Sequence, residues 1–498
     1  MQFADGYGRF DRRPLRQSTA PFKKEAGMNK AGIAATALVV LVGAGTAGAW
    51  YTGTRLEGVL QDSIAQGNQQ LATQFPGADA ALELVEFQRG LFTSQARYRL
   101  LLKAPQEDQP AIDLFISDHI EHGPMPLSRL TSFKWLPVMA VSRAQLEPSA
   151  QLAELFAASA GQAPVTLISS IGYGQGIKGE LQVAPLSWTG GEVEGRFSGL
   201  SAIFRTDTAG EHFAVSGRVD SLELDSPERI GLVGIEFALD RRRDSSGLYL
   251  GTGRVALDQL AVLLEDQPAL VMSDVLQTDH TRLAADGIKA ELNYQVGSVS
   301  YDGKPLGSMN MGWSLSRLDP QATALLAGLY NSLALGNEPE DPQATSAQFQ
   351  GALLQLLQGQ PRLALNNFSI RTANGESRFS LDMGLESPGS LEQPAELLAR
   401  QLIGSLEANL VLSKPMLMDV IRYKTLFQPQ SDAAAVEQEA AMMVEMAGGM
   451  AEMMQLARVE GDNILSRLHY ADGMIEFNGQ RIPVEDFVGL LAGLQGLE

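Results

Sequence analysis

The sequence predicts an α+β protein: extended, twisted antiparallel β-sheets with helices packed on one side, preceded by a single N-terminal transmembrane helix. Three observations predict it. Residues Ala31 to Tyr51 run for 21 positions without a charge. From residue 82 onward apolar residues recur with period two, as half-buried strands require. After residue 318, patches with helix-start signals interrupt that alternation. With 45% apolar and 19% charged residues in 498, the chain can bury a core and is not wholly disordered. It has no cysteine, which excludes disulfide scaffolds, thiolate zinc sites and cysteine nucleophiles.

The first 30 residues carry seven Lys/Arg against three Asp/Glu, whereas the whole chain has a net charge of −20. A basic head on an acidic body argues against nucleic-acid binding. Residues 1–30 are expected to form a disordered basic cytoplasmic tail, with Met28 a second candidate start. Residues 31–51 are expected to form a transmembrane anchor, since a helix of that length spans roughly 30 Å. Lys23, Lys24 and Lys30 precede the run and only Arg55 follows it closely, so the positive-inside rule leaves the N-terminus in the cytoplasm. Trp50 and Tyr51 suit the far interface. Ala47-Gly48-Ala49 has the form a signal peptidase accepts, but the apolar core exceeds the usual signal length, which favours an uncleaved anchor. On either reading the body is exported.

Leu56, Leu60, Ile64 and Leu71 then predict an amphipathic helix whose stripe packs on the body. A β-rich periplasmic region is expected over 52–340 and a mixed α/β region over 341–498. Within the first, alternation marks strands at Leu181–Val183, Phe213–Val219, Tyr249–Leu257, Leu292–Val296 and Met309–Leu315. Asn374-Gly375 predicts a type I′ hairpin between Leu363–Ile370 and Phe379–Leu385, and Asp302-Gly303 and Asn478-Gly479 carry the same signal. A slip in the alternation at Asn366-Asn367 predicts a bulge. Asp319-Pro320 opens a helix that stops at Gly336, and 337–346 reads as a polar linker. Helices are expected over 347–358, 392–403, 414–427 and 433–458. No repeat is legible in the letters.

Few residues carry chemistry. In a strand, His119 and Glu121 point to one side and His122 to the other, so the three cannot share a metal without a turn. The expected role is structural, with His122 bonding loop backbone. Gly172 to Gly176 resembles a fragment of a phosphate loop, but strand follows it rather than a helix start. No nucleophile elbow, P-loop or zincin motif occurs, and no catalytic, cofactor-binding or metal-binding residue is assigned. Val436, Met443 and Met450 are spaced by seven, as are Glu439, Met446 and Met453. This predicts an apolar contact face of Val436, Met443, Met446, Met450 and Met453, suited to the core, a partner helix or a lipid chain. Gly448-Gly449 leaves room for a hinge.

Four landmarks follow in order: Trp50 to Gly53, Arg89-Gly90-Leu91-Phe92-Thr93-Ser94, His122-Gly123-Pro124-Met125-Pro126, and Phe477-Asn478-Gly479. With the single N-terminal span, the chain resembles the YdgA-like family of proteobacterial envelope proteins. The resemblance implies a membrane-anchored periplasmic protein and carries over no catalytic residue. Physically, Arg89-Gly90 reads as a tight strand entry, Phe92 as packing inward, and His122-Gly123-Pro124 as a turn. The expected function is an envelope scaffold or binding protein presenting an apolar groove to a lipid or protein partner. The alternative is an envelope hydrolase using carboxylates with His122. Expected partners are membrane lipid through Ala31 to Tyr51, an envelope protein or lipid ligand, and a second copy of the chain; no cofactor is expected.

Overall fold

The computed structural model describes residues 61, 64–65 and 68 and, between 79 and 484, all but 91, 104–111, 123–125, 175, 191–192, 208–209, 265–266, 335–340, 428–431 and 472. The first half of the sheet consists of β1 (Asp79–Arg89), β2 (Thr93–Lys103), β3 (Ile112–His122), β4 (Ala140–Leu146), β5 (Val165–Ile171), β6 (Gly176–Val183), β7 (Leu186–Trp188), β8 (Glu194–Phe197) and β9 (Leu200–Asp207). Long strands follow: β10 (His212–Asp225), β11 (Arg229–Arg243), β12 (Tyr249–Leu263), β13 (Leu270–Ala284), β14 (Gly287–Tyr301) and β15 (Lys304–Leu318). The last are β16 (Arg362–Arg371), β17 (Glu376–Leu385), β18 (Ile403–Ser413), β19 (Arg458–Glu460), β20 (Asn463–Ala471), β21 (Met474–Phe477) and β22 (Gln480–Pro483). The helices are α1 (Leu127–Thr131), α2 (Ala153–Ala158), α3 (Pro320–Ala334), α4 (Pro342–Gln358), α5 (Ala395–Leu402), α6 (Lys414–Arg422), α7 (Lys424–Phe427) and α8 (Ala433–Met453).

The protein is therefore mostly β with a few helices. Every strand pairing is antiparallel, and almost every strand pairs with its neighbour in sequence. The exceptions are local: β9 joins β6 to β10, β8 lies along the far end of β10, and β18 pairs with β20. The ladder crosses the compositional division near residue 340 unbroken, since Ser308–Ser316 pairs with Arg362–Arg371. The predicted anchor and tail, Trp50 and Gly53 lie outside the described residues. Among those described, no helix is long and apolar enough to cross a membrane. Of the predicted helix before β1, Gln61, Ile64, Ala65 and Asn68 are helical, Ile64 is buried, and the Asn68 side chain pairs with the Leu82 backbone at 2.8 and 2.9 Å.

Strands of 15 residues extend about 50 Å, too far for a plain two-residue alternation to follow a twisting sheet. The alternation slips once in each strand, at the same level. In β10 it passes from Val219 to Leu222 around Asp220, and in β12 from Leu257 to Leu260 around Asp258. In β11 and β13 the slip falls on Gly234 and Asp274, both at positive φ, and in β14 on Gly297. Register carries on across β10 to β13 because the neighbours slip together. The result is a crease across five strands, which keeps apolar positions on one face at both ends. The Asp258 carboxylate lies over Gly234 and the Asp274 side chain over Gly297, so a Cβ at either glycine would collide. The crease residue recurs about every 40 residues along alternate strands, a structural repeat that the letters hide.

Both turns at Asp302-Gly303 and Asn478-Gly479 have two residues at positive φ, as a type I′ hairpin demands. The hairpin at Asn374-Gly375 forms but is not of that type, since neither residue has positive φ. Gly375 serves close approach instead: a Cβ there would meet Ser413 Oγ at 2.1 Å and the Met416 amide at 2.8 Å, where α6 begins. The bulge at Asn366-Asn367 is present. Asp319 caps α3, accepting from the Ala322 amide at 2.8 Å. Asp341 does the same for α4 through Gln343 and Ala344, with Pro342 at the first position, so this helix starts inside the segment expected to be linker. The chain from 414 to 427 divides into α6 and α7, and α8 passes through Gly448-Gly449 unbroken.

Candidate functional site

Cross-strand partners share a face of the sheet, so the registers define continuous rows of side chains. One row reads Phe237, Val255, Gln277, Tyr294, Met311, Phe368, Phe379 and Leu410 across β11 to β18. The row beside it reads Val219, Ile235, Leu257, Val275, Val296, Met309 and Ile370. On the other side lie Leu239, Gly253, Asp279, Leu292, Trp313, Leu365 and Leu381. Most of these side chains are half-buried, and Val255 is 44% exposed. The opposite face is polar, with Glu236, Asp240, Arg254, Thr278, Asn293, Gln295 and Asn310. An apolar face of this extent is more than chance surface hydrophobicity.

One charged pair interrupts it. Arg241 and Asp279 form an ion pair above Gly253, whose missing side chain leaves the room. Arg241 Nη1 is buried and has no hydrogen-bond partner.

The apolar face continues into the first half of the sheet through Phe204–Val215 and Ala202–Gly217. There it is enclosed: Leu100, Ile120, Ile171 and Ile177 are almost wholly buried. Asp118 occupies an inward position of β3 between Ile116 and Ile120. It accepts hydrogen bonds from Ser142 Oγ at 2.7 Å and Tyr98 at 3.4 Å. Burial pushes its carboxyl up to about 6, more than these donors pull it down, and burial also raises the Tyr98 phenol. Ser169, opposite Ser142 on β5, is buried with its hydroxyl unpartnered.

Two of the four family landmarks, at Arg89–Ser94 and at His122, meet at one corner. The Gly90 amide donates to Thr93 O at 2.8 Å, and a Cβ at Gly90 would sit 2.4 Å from that oxygen, so the chain turns tightly into β2 here. The His122 amide donates to Phe92 O at 2.7 Å, and His122 Nε2 lies 2.8 Å from Ser94 Oγ. His122 thus bonds a side-chain hydroxyl as well as loop backbone. Burial, then Arg89 and His119, hold its imidazole below the ordinary range. Ser94 is only 1% exposed, so the pair reads as a clip between β2 and β3. Phe92 does not pack inward; it is 76% exposed, because the backbone bond to His122 holds the turn while the ring points away. Gly123 and Pro124 lie outside the described residues.

An open depression of about 400 Å³ on the outer face is lined by Glu86, Arg97, His119, Arg143 and Glu147, among others, but not His122. Arg97 bonds Glu147 at 2.9 Å and stacks over Phe115. Among the described residues, no three histidines or carboxylates are grouped to hold a metal ion.

The predicted methionine face divides. Val436 belongs to a buried stripe with Ala440, Val444 and Gly448, four residues apart, whereas Met443, Met446, Met450 and Met453 are exposed with Met442. A seven-residue repeat drifts around a straight helix, which separates Val436 from the methionines. Ion pairs Arg422–Glu437, Lys424–Glu439 and Lys414–Glu445 tie α8 to α6 and α7.

Residues 28–485 match the family described as bacterial protein of unknown function (DUF945). The chain is 26% identical over 489 residues to Protein YdgA of Escherichia coli (strain K12), covering 93% of this chain and 97% of that protein. It is 23% identical over 477 residues to Uncharacterized protein YihF of the same strain, covering 91% and 96%. A protein of Haemophilus influenzae is 27% identical over 160 residues, 32% of this chain and 42% of that one. No solved structure matches. Because the match takes in the landmark corner, the creased sheet and α8 together, the chain belongs to the DUF945 family of bacterial proteins, with the YdgA-like proteins its landmarks resemble.

Proposed function

We propose that this is a membrane-anchored envelope protein whose apolar sheet face holds the acyl chain of a lipid. In this reading Ala31 to Tyr51 tethers the chain in the inner membrane and the acidic body lies in the periplasm. The charge-free run and the lysines before it support the tether. The observation that carries the lipid reading is the set of parallel, largely apolar rows across β11 to β17, half-buried, in which Gln277, Tyr294, Trp313 and the Arg241–Asp279 pair are the hydrogen-bonding groups. An acyl chain needs no hydrogen bonds, and Met309, Met311 and Met383 give the surface an adaptable lining.

Two measurements test it. The full chain, extracted in mild detergent, is expected to carry phospholipid detectable by mass spectrometry. Phe237→Glu with Phe368→Glu puts two carboxylates into the central row and is expected to lower the bound lipid at least about tenfold, since a charge facing hydrocarbon costs more than the 1.4 kcal/mol that factor represents. Unchanged lipid in the double variant overturns the acyl-chain reading. For the tether, alkaline phosphatase fused after Glu498 is expected to be active and a fluorescent-protein fusion dark; the reverse overturns the periplasmic location.

A further inference from the structure

The ends of the sheet are unlike each other. At the end where β1 turns into β2, β3 leads through α1 into β4, and β5 turns into β6, large apolar side chains stand in water. They are Phe92, Phe133, Trp135, Leu136 and Tyr173, all more than half exposed. Adjacent strands bring these three loops together: the His122 amide bonds Phe92 O, and the Met139 amide bonds Ile171 O at 2.8 Å.

The central loop is built to hold this display. Glu121 Oε2 accepts from the Ser128 amide and hydroxyl at 2.9 and 2.8 Å, fixing the start of α1. Arg129 donates to Leu136 O at 2.9 and 3.2 Å, and the Lys134 amide bonds Arg129 O at 2.9 Å. Phe133 is held at φ 55°, a left-handed conformation rare for a bulky residue, and its ring meets Trp135 edge-on with centroids 6.4 Å apart. A closed loop that presents rings outward has not collapsed onto its own core.

The charge is segregated as well. Residues 89–94, 122–139 and 171–176 contain Arg89, Arg129 and Lys134 and no carboxylate, the flanking Glu121 being turned to Ser128, in a chain of net charge −20. Apolar and aromatic tips among cations match one surface chemistry: Trp, Tyr, Phe and Leu settle at the headgroup boundary, while Arg and Lys meet anionic phosphates.

We infer that this end of the sheet inserts its loop tips into the interfacial layer of an anionic phospholipid bilayer. The surface is distinct from the apolar rows, and its test does not depend on them. It orients the sheet, setting the strands with this end against the membrane.

The absence of cysteine makes the test direct. Leu136→Cys and, at the opposite end of the sheet, Val193→Cys each receive a nitroxide label in the full chain, reconstituted in vesicles of phosphatidylethanolamine with one quarter phosphatidylglycerol. Power-saturation spectra are expected to show the label at 136 colliding severalfold more with oxygen, relative to a water-soluble nickel complex, than the label at 193. Adding Lys134→Glu, or omitting phosphatidylglycerol, is expected to narrow that difference. Equal nickel access at both labels in the anionic vesicles overturns the inference. So does a label at 136 equally shielded in detergent without lipid, which would mean that protein, a second copy included, covers this end.

Discussion

Asp419→Ala is expected to be among the most damaging single substitutions in the C-terminal half. The carboxylate sits on α6, 5% exposed, and gathers four donors: Thr372 Oγ1 at 2.6 Å, the Asn374 amide at 3.1 Å, Asn374 Nδ2 at 2.8 Å and Arg422 at 2.8 Å. It therefore ties α6 to the turn between β16 and β17, and through Arg422 to Glu437 on α8. Alanine leaves several buried donors unpaired, for an expected loss of about 3–5 kcal/mol. The nearby Val420→Ala, at an exposed position, should stay within about 0.5 kcal/mol. Urea unfolding of both variants checks this; equal midpoints would deny Asp419 its role as hub. Burial pushes the Asp419 carboxyl up, but the hydrogen bonds from Thr372, Asn374 and Arg422 outweigh it and hold it below the usual range. Its contribution is accordingly present above the ordinary carboxylate pKa and lost as pH falls through the lower folded value.

Asp118 has the opposite sign. Its folded pKa is about 6, against about 3.9 in the unfolded chain. Below about pH 4 both states hold the proton, and the contribution is fully present. Between there and pH 6 only the folded state holds it, so stability falls as pH rises and levels off above 6. Two pKa units correspond to about 3 kcal/mol. Asp118→Asn keeps the shape and an acceptor for Ser142 but never ionises. It is expected to be more stable than the parent at pH 7.5 by an amount approaching that figure, and to show a flatter stability profile from pH 4 to 7. Urea unfolding of both proteins at pH 4.5 and 7.5 reads the difference directly. A parent protein as stable at the higher pH as at the lower would show that this carboxyl does not titrate within the core.

The features legible in the sequence are those fixed by a few adjacent residues. Asp302-Gly303, Asn478-Gly479, Asp319-Pro320 and the slip at Asn366-Asn367 each mean what their local chemistry says. Asn374-Gly375 shows the limit of that reading, because its glycine answers to Ser413 and Met416, about forty residues away. The crease was hidden for a related reason. A slip at Asp220 or Asp258 looks like the end of one short strand until its neighbours are seen to slip beside it. The apolar face was legible as alternation, but its extent depends on registers that no single strand specifies. Asp118 did leave a signal, a carboxylate in the apolar parity of Leu114, Ile116 and Ile120. The pairing of Ser94 with His122 and the outward ring of Phe92 left none, since both depend on how β3 closes against the preceding hairpin.

Among the described residues the outer strands of this ladder are β1, β7, β19 and β22, and each is a template on which another molecule could polymerise. All are blunted, β7 and β19 by being three residues long. β1 carries Glu83 and Glu86 on either side of a register shift, so an incoming chain would face charge and a kink. β22 is four residues long and ends in Pro483, which has no amide hydrogen to offer. Such terminators let so wide a hydrogen-bonded array stay a discrete molecule instead of seeding fibrils.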